Sequence, residues 1–133
     1  MENYNYIRDF KKLIIWQRAN AIEQEIAKIS KKFLASEKYN LVDQIIRSSR
    51  SIAANIAEGH TQTYIRKEIT HINTALGSTG ETQNHLITAF QNNYITEDEL
   101  NKLDTELIEL KKMLFGYLKK LKVDCAKPDP SES

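Results

Sequence analysis

No proline interrupts the chain before Pro128, and only four glycines occur among its 133 residues. A proline-free run over residues 1–127 removes the strongest helix breaker, and scarce glycine leaves few places for tight turns, so long helices are favoured over short strands. Cysteine is nearly absent as well. Cys125, in the polar stretch KVDCAKPDPSES, has no partner within the chain, which excludes an intramolecular disulfide framework and fits a reducing compartment. Hydrophobic runs are short: none approaches the roughly 18 apolar residues that a membrane-spanning helix needs. The start MENYNYIRDFKK carries no apolar run flanked by basic residues, so a cytoplasmic protein is expected. A surplus of one charge is missing too, since 19 Lys and Arg stand against 18 Asp and Glu for a net charge of +1. Any attraction to nucleic acid must therefore come from a local patch. The length suits one domain with a real core and is short for two.

What the chain does have is helical periodicity. In a first segment Ile15, Ala19, Ile22, Ile26, Ile29 and Phe33 recur at steps of three and four, with Trp16 beside the stripe. The loop LASEKYN follows, with Ser36 placed to cap a helix over about residues 37–58. That second segment carries Leu41, Ile45, Ser48, Ile52 and Ile56 on one face and Val42, Ile46, Ala53 and Ala57 on the next, an apolar arc wide enough to bury two sides. Gly59 then suits a left-handed residue just past the helix end. A third segment, about residues 62–93, puts Ile65, Ile69, Ile72, Leu76, Gln83, Ile87, Phe90 and Tyr94 on one face. Gly77 and Gly80 interrupt it at roughly 1 kcal/mol each relative to Ala, a cost that close approach of another backbone would offset. The fourth opens with a capping box, Thr96 to Glu99, and continues through Leu100, Leu103, Leu107, Leu110, Leu114, Tyr117 and Leu121 in a bundle-type seam, with Ile108 and Phe115 off it. Its acids precede its lysines, as the helix dipole prefers. Short connections force neighbours to run antiparallel. The expected architecture is an all-α, antiparallel up-down-up-down four-helix bundle over residues 13–122, after an N-terminal arm (1–12) and before a polar tail (123–133) expected to be disordered.

Complete catalytic signatures are missing. There is no phosphate loop, paired CxxC, HExxH or nucleophile elbow, and Glu68 with His71 supplies only one of the two Glu-x-x-His motifs a di-iron bundle requires. The third helix does carry a polar stripe, His71, Thr74, Ser78, Glu81 and His85, and the second a similar one, Arg47, Ser51, Ala54 and Glu58, with Asn55 at its edge. Stripes like these are ordinarily solvated faces. Here Gly77, Gly80, Ala53, Ala54 and Ala57 leave the helices thin beside Asn55, Glu58, Ser78 and Glu81, which points to close contact with polar groups satisfied inside it, within the bundle edge or at a subunit boundary. Glu81 lies too far along for direct contact with Asn55 inside one chain. A small metal protein or enzyme built on the third-helix stripe is the alternative reading. For nucleic acid, the candidate residues are Lys28, Lys31, Lys32, Arg47, Arg50, Arg66, Lys67, Lys111, Lys112, Lys119 and Lys120, with Lys38 and Lys122 near them.

The stretches FKKLIIWQRA, QIIRSSRSIAANIAEG, ALGSTGETQNHLITA and NNYITEDEL together resemble the bacterial four-helix bundle proteins of the 23S ribosomal RNA intervening-sequence family, over residues 10 to about 122. The most specific parts are NIAEG at Asn55–Gly59 and the GS-x-x-E pattern at Gly77, Ser78 and Glu81. The resemblance implies a homopentamer around a central channel. More distantly, the chain is similar to the accessory protein of diversity-generating retroelements, a pentamer that binds nucleic acid and a reverse transcriptase. No catalytic residues and no cofactor follow from it. Ala53 stands where members often have Pro, and Ile46-Arg47 followed by Arg50 replaces adjacent arginines. The function expected is thus a non-enzymatic, homo-oligomeric scaffold or adaptor for structured nucleic acid or a nucleic-acid enzyme, without metal. Ile108 and Phe115 join Asn55, Glu58, Ser78 and Glu81 as candidate subunit contacts, because one bundle core cannot absorb them.

Overall fold

The computed structural model describes residues 8–33 and 38–127. A short 3-10 turn, Phe10–Lys12, leads into α1 (Ile14–Ser30); a π-helical turn, Lys38–Val42, leads into α2 (Asp43–Thr61); α3 (Ile65–Gln91) and α4 (Glu97–Ala126) follow. Each helix packs on its chain neighbours, and α4 closes back on α1. Cross-helix pairs fix the directions. Lys102 Nζ reaches Glu25 at 2.6 Å while Arg18 reaches Glu109 at 3.4 Å, so α1 and α4 run antiparallel. Gln83 donates to Asp104 at 2.8 Å near one end of the α3–α4 seam, and Tyr117 donates to Glu68 at 2.7 Å near the other. The chain is the expected four-helix bundle.

The core follows the apolar spacing in α1 and α4. Ile15, Ala19, Ile22 and Ile26 are buried in α1, and Phe33 beyond it stacks on Tyr94 with centroids 5.3 Å apart, tying the end of α1 to the α3–α4 turn. In α4 the buried positions are Leu103, Leu107, Leu110, Leu114, Leu118 and Leu121, each contributing roughly 2 kcal/mol by area removed from water. Leu100 and Tyr117 pack only partly against this core, Leu118 taking the place expected for Tyr117. The capping box forms in full: Thr96 Oγ1 accepts from Glu99 N at 3.1 Å and Glu99 Oε1 from Thr96 N at 2.9 Å.

Several expectations are corrected. α2 begins at Asp43 after the π-helical turn, not near residue 37, and Ser36 lies outside the described residues. Gly59 is inside α2, which runs on to Thr61, and no glycine has positive φ; the left-handed position falls instead at Asn93 (φ 65°), after α3. There the amide of Tyr94 bonds the carbonyl of Ala89 and that of Asn93 bonds Phe90, closing the helix as a glycine would. Gly59 serves a different purpose: a Cβ there would lie 2.7 Å from His71 Cβ, so its missing side chain lets α2 and α3 approach. Gly77 and Gly80 show the reverse: a Cβ at either meets nothing within 4 Å, so the close backbone expected there is absent among the described residues. The buried stripe of α3 is rotated from the expected face and runs Glu68, Ile72, Ala75, Ser78, Thr79, Thr82, Leu86 and Ala89, while Ile87 stands 42% exposed. Residues 123–126, assigned to the tail, complete α4, and residues 8–12 of the arm are ordered against the bundle; 1–7 and 128–133 lie outside the described residues.

Candidate functional site

The thin faces of α2 and α3 meet, and a chain of hydrogen bonds runs between them. Ser51 Oγ and Ser78 Oγ lie 2.8 Å apart, and Asn55 Nδ2 donates to the Ser51 carbonyl at 2.8 Å and to its hydroxyl at 3.0 Å. Asn55 Oδ1 then faces His71 Nδ1 at 3.0 Å, and the same nitrogen is 3.8 Å from Glu58 Oε2. One turn deeper, Thr82 Oγ1 lies 2.9 Å from Ser48 Oγ and 2.8 Å from the Ser78 carbonyl. Three of the four residues expected to cluster, Asn55, Glu58 and Ser78, are therefore linked within one chain through Ser51 and His71. Glu81 stands apart from Asn55 as expected. It pairs with His85 at 3.3 Å and borders a cleft of about 350 Å³ with Gln44, Arg47, Ser48 and Ser51. A hydroxyl–amide chain with every member paired holds two helices in register and supplies no nucleophile–base geometry. Asn55→Ala is expected to lower unfolding stability by about 1–2 kcal/mol, read by urea titration, because His71 and Ser51 each lose a partner.

At the base of the same helix pair sits a cluster that periodicity missed. Glu68 is fully buried and accepts from Tyr117 Oη at 2.7 Å and from Arg8 Nη2 at 3.0 Å, with His60 Nδ1 at 2.9 Å. Arg8 also donates to the Gln62 carbonyl at 3.3 Å, which fastens the N-terminal arm over the α2–α3 turn. Burial, reinforced by the Glu68 carboxylate, pushes the Tyr117 phenol above its ordinary value. The available signal was position: Glu68 precedes Ile72 by one turn on the stripe that continues through Ala75 and Thr79. His71, the other half of the Glu-x-x-His motif, bonds Asn55 instead, and among the described residues no group of three or more His, Cys, Asp or Glu could hold a metal ion.

The basic candidates separate into two ends of the bundle. At the end where α1 stops and α4 starts, Lys28 and Lys32 line a groove of about 780 Å³ with Glu25, Asp98 and Glu99; Lys32 is bonded to Glu99. That bond holds the Glu99 carboxyl below the usual range. Lys31 lies exposed beside them. On α2, Arg47 pairs with Asp43 at 3.6 Å, and Arg50 offsets part of the burial that raises the Glu23 carboxyl. The other end differs. Arg66 and Lys67 open α3, with Lys67 5.7 Å above the Tyr64 ring, and the last half of α4 carries Lys111, Lys112, Lys119, Lys120 and Lys122 with no acidic residue from 110 to 123. None of these five lysines has an ion pair among the described residues. Phe115, 60% exposed, stands among them, and Ile108, 39% exposed, lies two turns before it.

An all-α antiparallel bundle with a hydrogen-bonded polar seam between its second and third helices belongs to the class of four-helix bundle proteins. The chain belongs to the 23S rRNA-intervening sequence protein family, whose sequence pattern matches residues 11–116. It is similar to the crystal structure of a protein of unknown function from the S23 ribosomal protein family of Bacteroides thetaiotaomicron, with a TM-score of 0.74 and 25% identity, over 80% of this chain and 96% of that one. Among proteins with curated descriptions none matches.

Proposed function

We propose that the protein is a non-enzymatic homo-oligomeric scaffold that binds structured nucleic acid, alone or beneath an enzyme acting on it, through the basic end of its bundle. The observation that carries this reading is the group of five lysines from the middle of α4 onward, none in an ion pair among the described residues, with Arg66 and Lys67 at the start of α3. One solvated lysine means little. Seven cations spread from the middle of α4 to the end where α3 begins, repeated in every copy of an assembly, sum weak phosphate contacts into a usable affinity that falls steeply with salt. Lys28, Lys32 and Arg47 are already engaged by acids or share their groove, and are left out of the proposed surface.

Assembly is supported by the α3–α4 seam. The Gln83–Asp104 bond marks that seam; Gly80 and Ile87 flank Gln83 on α3, and Ile108 follows Asp104 by one turn on α4. Ile87 and Ile108 are exposed, and Gly80 stands where Ala would favour the isolated helix by about 1 kcal/mol, as expected of a surface that another copy covers. Five copies are the number the family resemblance implies. Light scattering at micromolar concentration tests the assembly, with Ile108→Glu expected to dissociate it; a monomeric wild type overturns it. Fluorescence anisotropy with a labelled RNA hairpin tests the ligand. Lys119→Glu combined with Lys120→Glu should abolish binding and flatten the salt dependence, and a wild type that leaves the hairpin free in low salt removes the nucleic-acid reading.

A further inference from the structure

We propose that the hollow around Phe115 is a stacking site for an unpaired base, so that the preferred ligand is single-stranded nucleic acid or a single-stranded loop of a structured one. This inference rests on the nucleic-acid reading above and names the ligand class at the same surface. Phe115 leaves 60% of its surface open to solvent, and with Leu118, Val123 and Ala126 it floors a hollow of about 540 Å³ whose rim is Lys119 and Lys122. Lys112 lies one turn before Phe115 and Lys119 one turn after, so cations about 10 Å apart along the helix bracket the ring. A flat apolar floor between two cations matches a base with a phosphate on either side, and stacking on an aromatic face is worth having for any base because every base offers a π-face. Duplex ends aside, paired bases are already stacked and gain nothing from the ring.

A second copy of the chain is the competing occupant, and charge decides against it. A second copy that met this face with the same face of its own would desolvate Lys119 and Lys122 against further lysines, with Asp124, beside Lys127, the one acid between residues 110 and 127. Ile108, one turn after Asp104 and two turns before Phe115, borders the seam beside Gly80 and stays with the subunit contact. A polyanion neutralises the lysines as it fills the hollow.

The experiment compares full-length wild type, Phe115→Ala and Phe115→Trp by anisotropy with a labelled twelve-nucleotide RNA single strand and a blunt RNA duplex, alongside light scattering. Phe115→Ala is expected to weaken single-strand binding about tenfold, to leave duplex binding and the salt slope unchanged, and Phe115→Trp to restore or exceed wild-type affinity. Equal binding of the single strand by wild type and Phe115→Ala, with Lys119→Glu and Lys120→Glu still destroying it, overturns the stacking site and leaves the nucleic-acid reading standing. A change of oligomeric state in Phe115→Ala overturns it in favour of a subunit contact. Absence of binding by the wild type removes both readings together.

Discussion

Replacing Arg8 by Met should lower unfolding stability by about 3 kcal/mol, one of the largest losses any residue outside the apolar core would produce. Arg8 is the only Lys or Arg paired with Glu68 among the described residues, and Glu68 has no solvent exposure of its own. Removing the guanidinium leaves a buried carboxylate supported by one phenol and one imidazole, whereas Arg8 itself, 37% exposed, pays little to be there. Glu68→Gln in the Arg8→Met background should recover part of the loss, because the uncompensated charge is gone while Tyr117 keeps an acceptor. A loss confined to Arg8→Met and relieved by Glu68→Gln is the signature of the buried charge; equal, additive losses would refute it. Tyr117 adds a pH signature. Its folded pKa is raised above the unfolded value of about 10, so the neutral phenol's contribution is fully present below that pH and is lost as pH rises through the folded value. Urea midpoints measured from pH 8 to 11 should fall more steeply for wild type than for Tyr117→Phe.

Gly59→Ala should destabilise the protein by about 2 kcal/mol, against the direction of helix propensity. Inside a helix Ala ordinarily gains about 1 kcal/mol over Gly. At Gly59 the new Cβ would sit 2.7 Å from His71 Cβ and 3.4 Å from the Glu68 carbonyl oxygen, atoms fixed to the backbone of α3 that no rotamer change can clear. The helices must part, and parting them stretches both the Asn55–His71 contact and the Glu68 cluster. Gly116→Ala is the control: its Cβ meets nothing within 4 Å, so it should be neutral or stabilising in the same denaturation series. Matching effects at the two sites would show that propensity, and not helix approach, governs Gly59.

The four helices, their order and the capping box of α4 were legible because periodic leucine and isoleucine and a Thr-x-x-Glu pattern report directly on burial and capping. The face of α3 was not. Thr79 and Thr82 are buried with their hydroxyls bonded to the carbonyls of Ala75 and Ser78, four residues back, which lets polar residues occupy positions that apolar spacing reserves for Leu. Ile87, chosen for its hydrophobicity, is pushed outward as a result. Glu68 was hidden for a different reason: its partners arrive from the arm, α2 and α4, over separations no helical pattern encodes. Asn55 and Ser78 were found because small neighbours marked a close approach, and their partners Ser51 and His71 lay on the two stripes already drawn.

The division between the leucine seam of α4 and the hydroxyl chain of α2 and α3 separates strength from uniqueness. Sliding α4 by seven residues would bring Leu110 to the place of Leu103, Leu114 to that of Leu107 and Leu121 to that of Leu114, so the seam by itself hardly distinguishes one alignment from the next. The α2–α3 pair has no such degeneracy. A slip there would strand Ser48, Ser51, Asn55 and Thr82 away from their partners, at about 1–3 kcal/mol for each of the buried Ser48 and Thr82 and less for the part-buried Ser51 and Asn55. One half of the bundle thus acts as adhesive and the other as vernier, and errors in assembling the first are read out and rejected by the second.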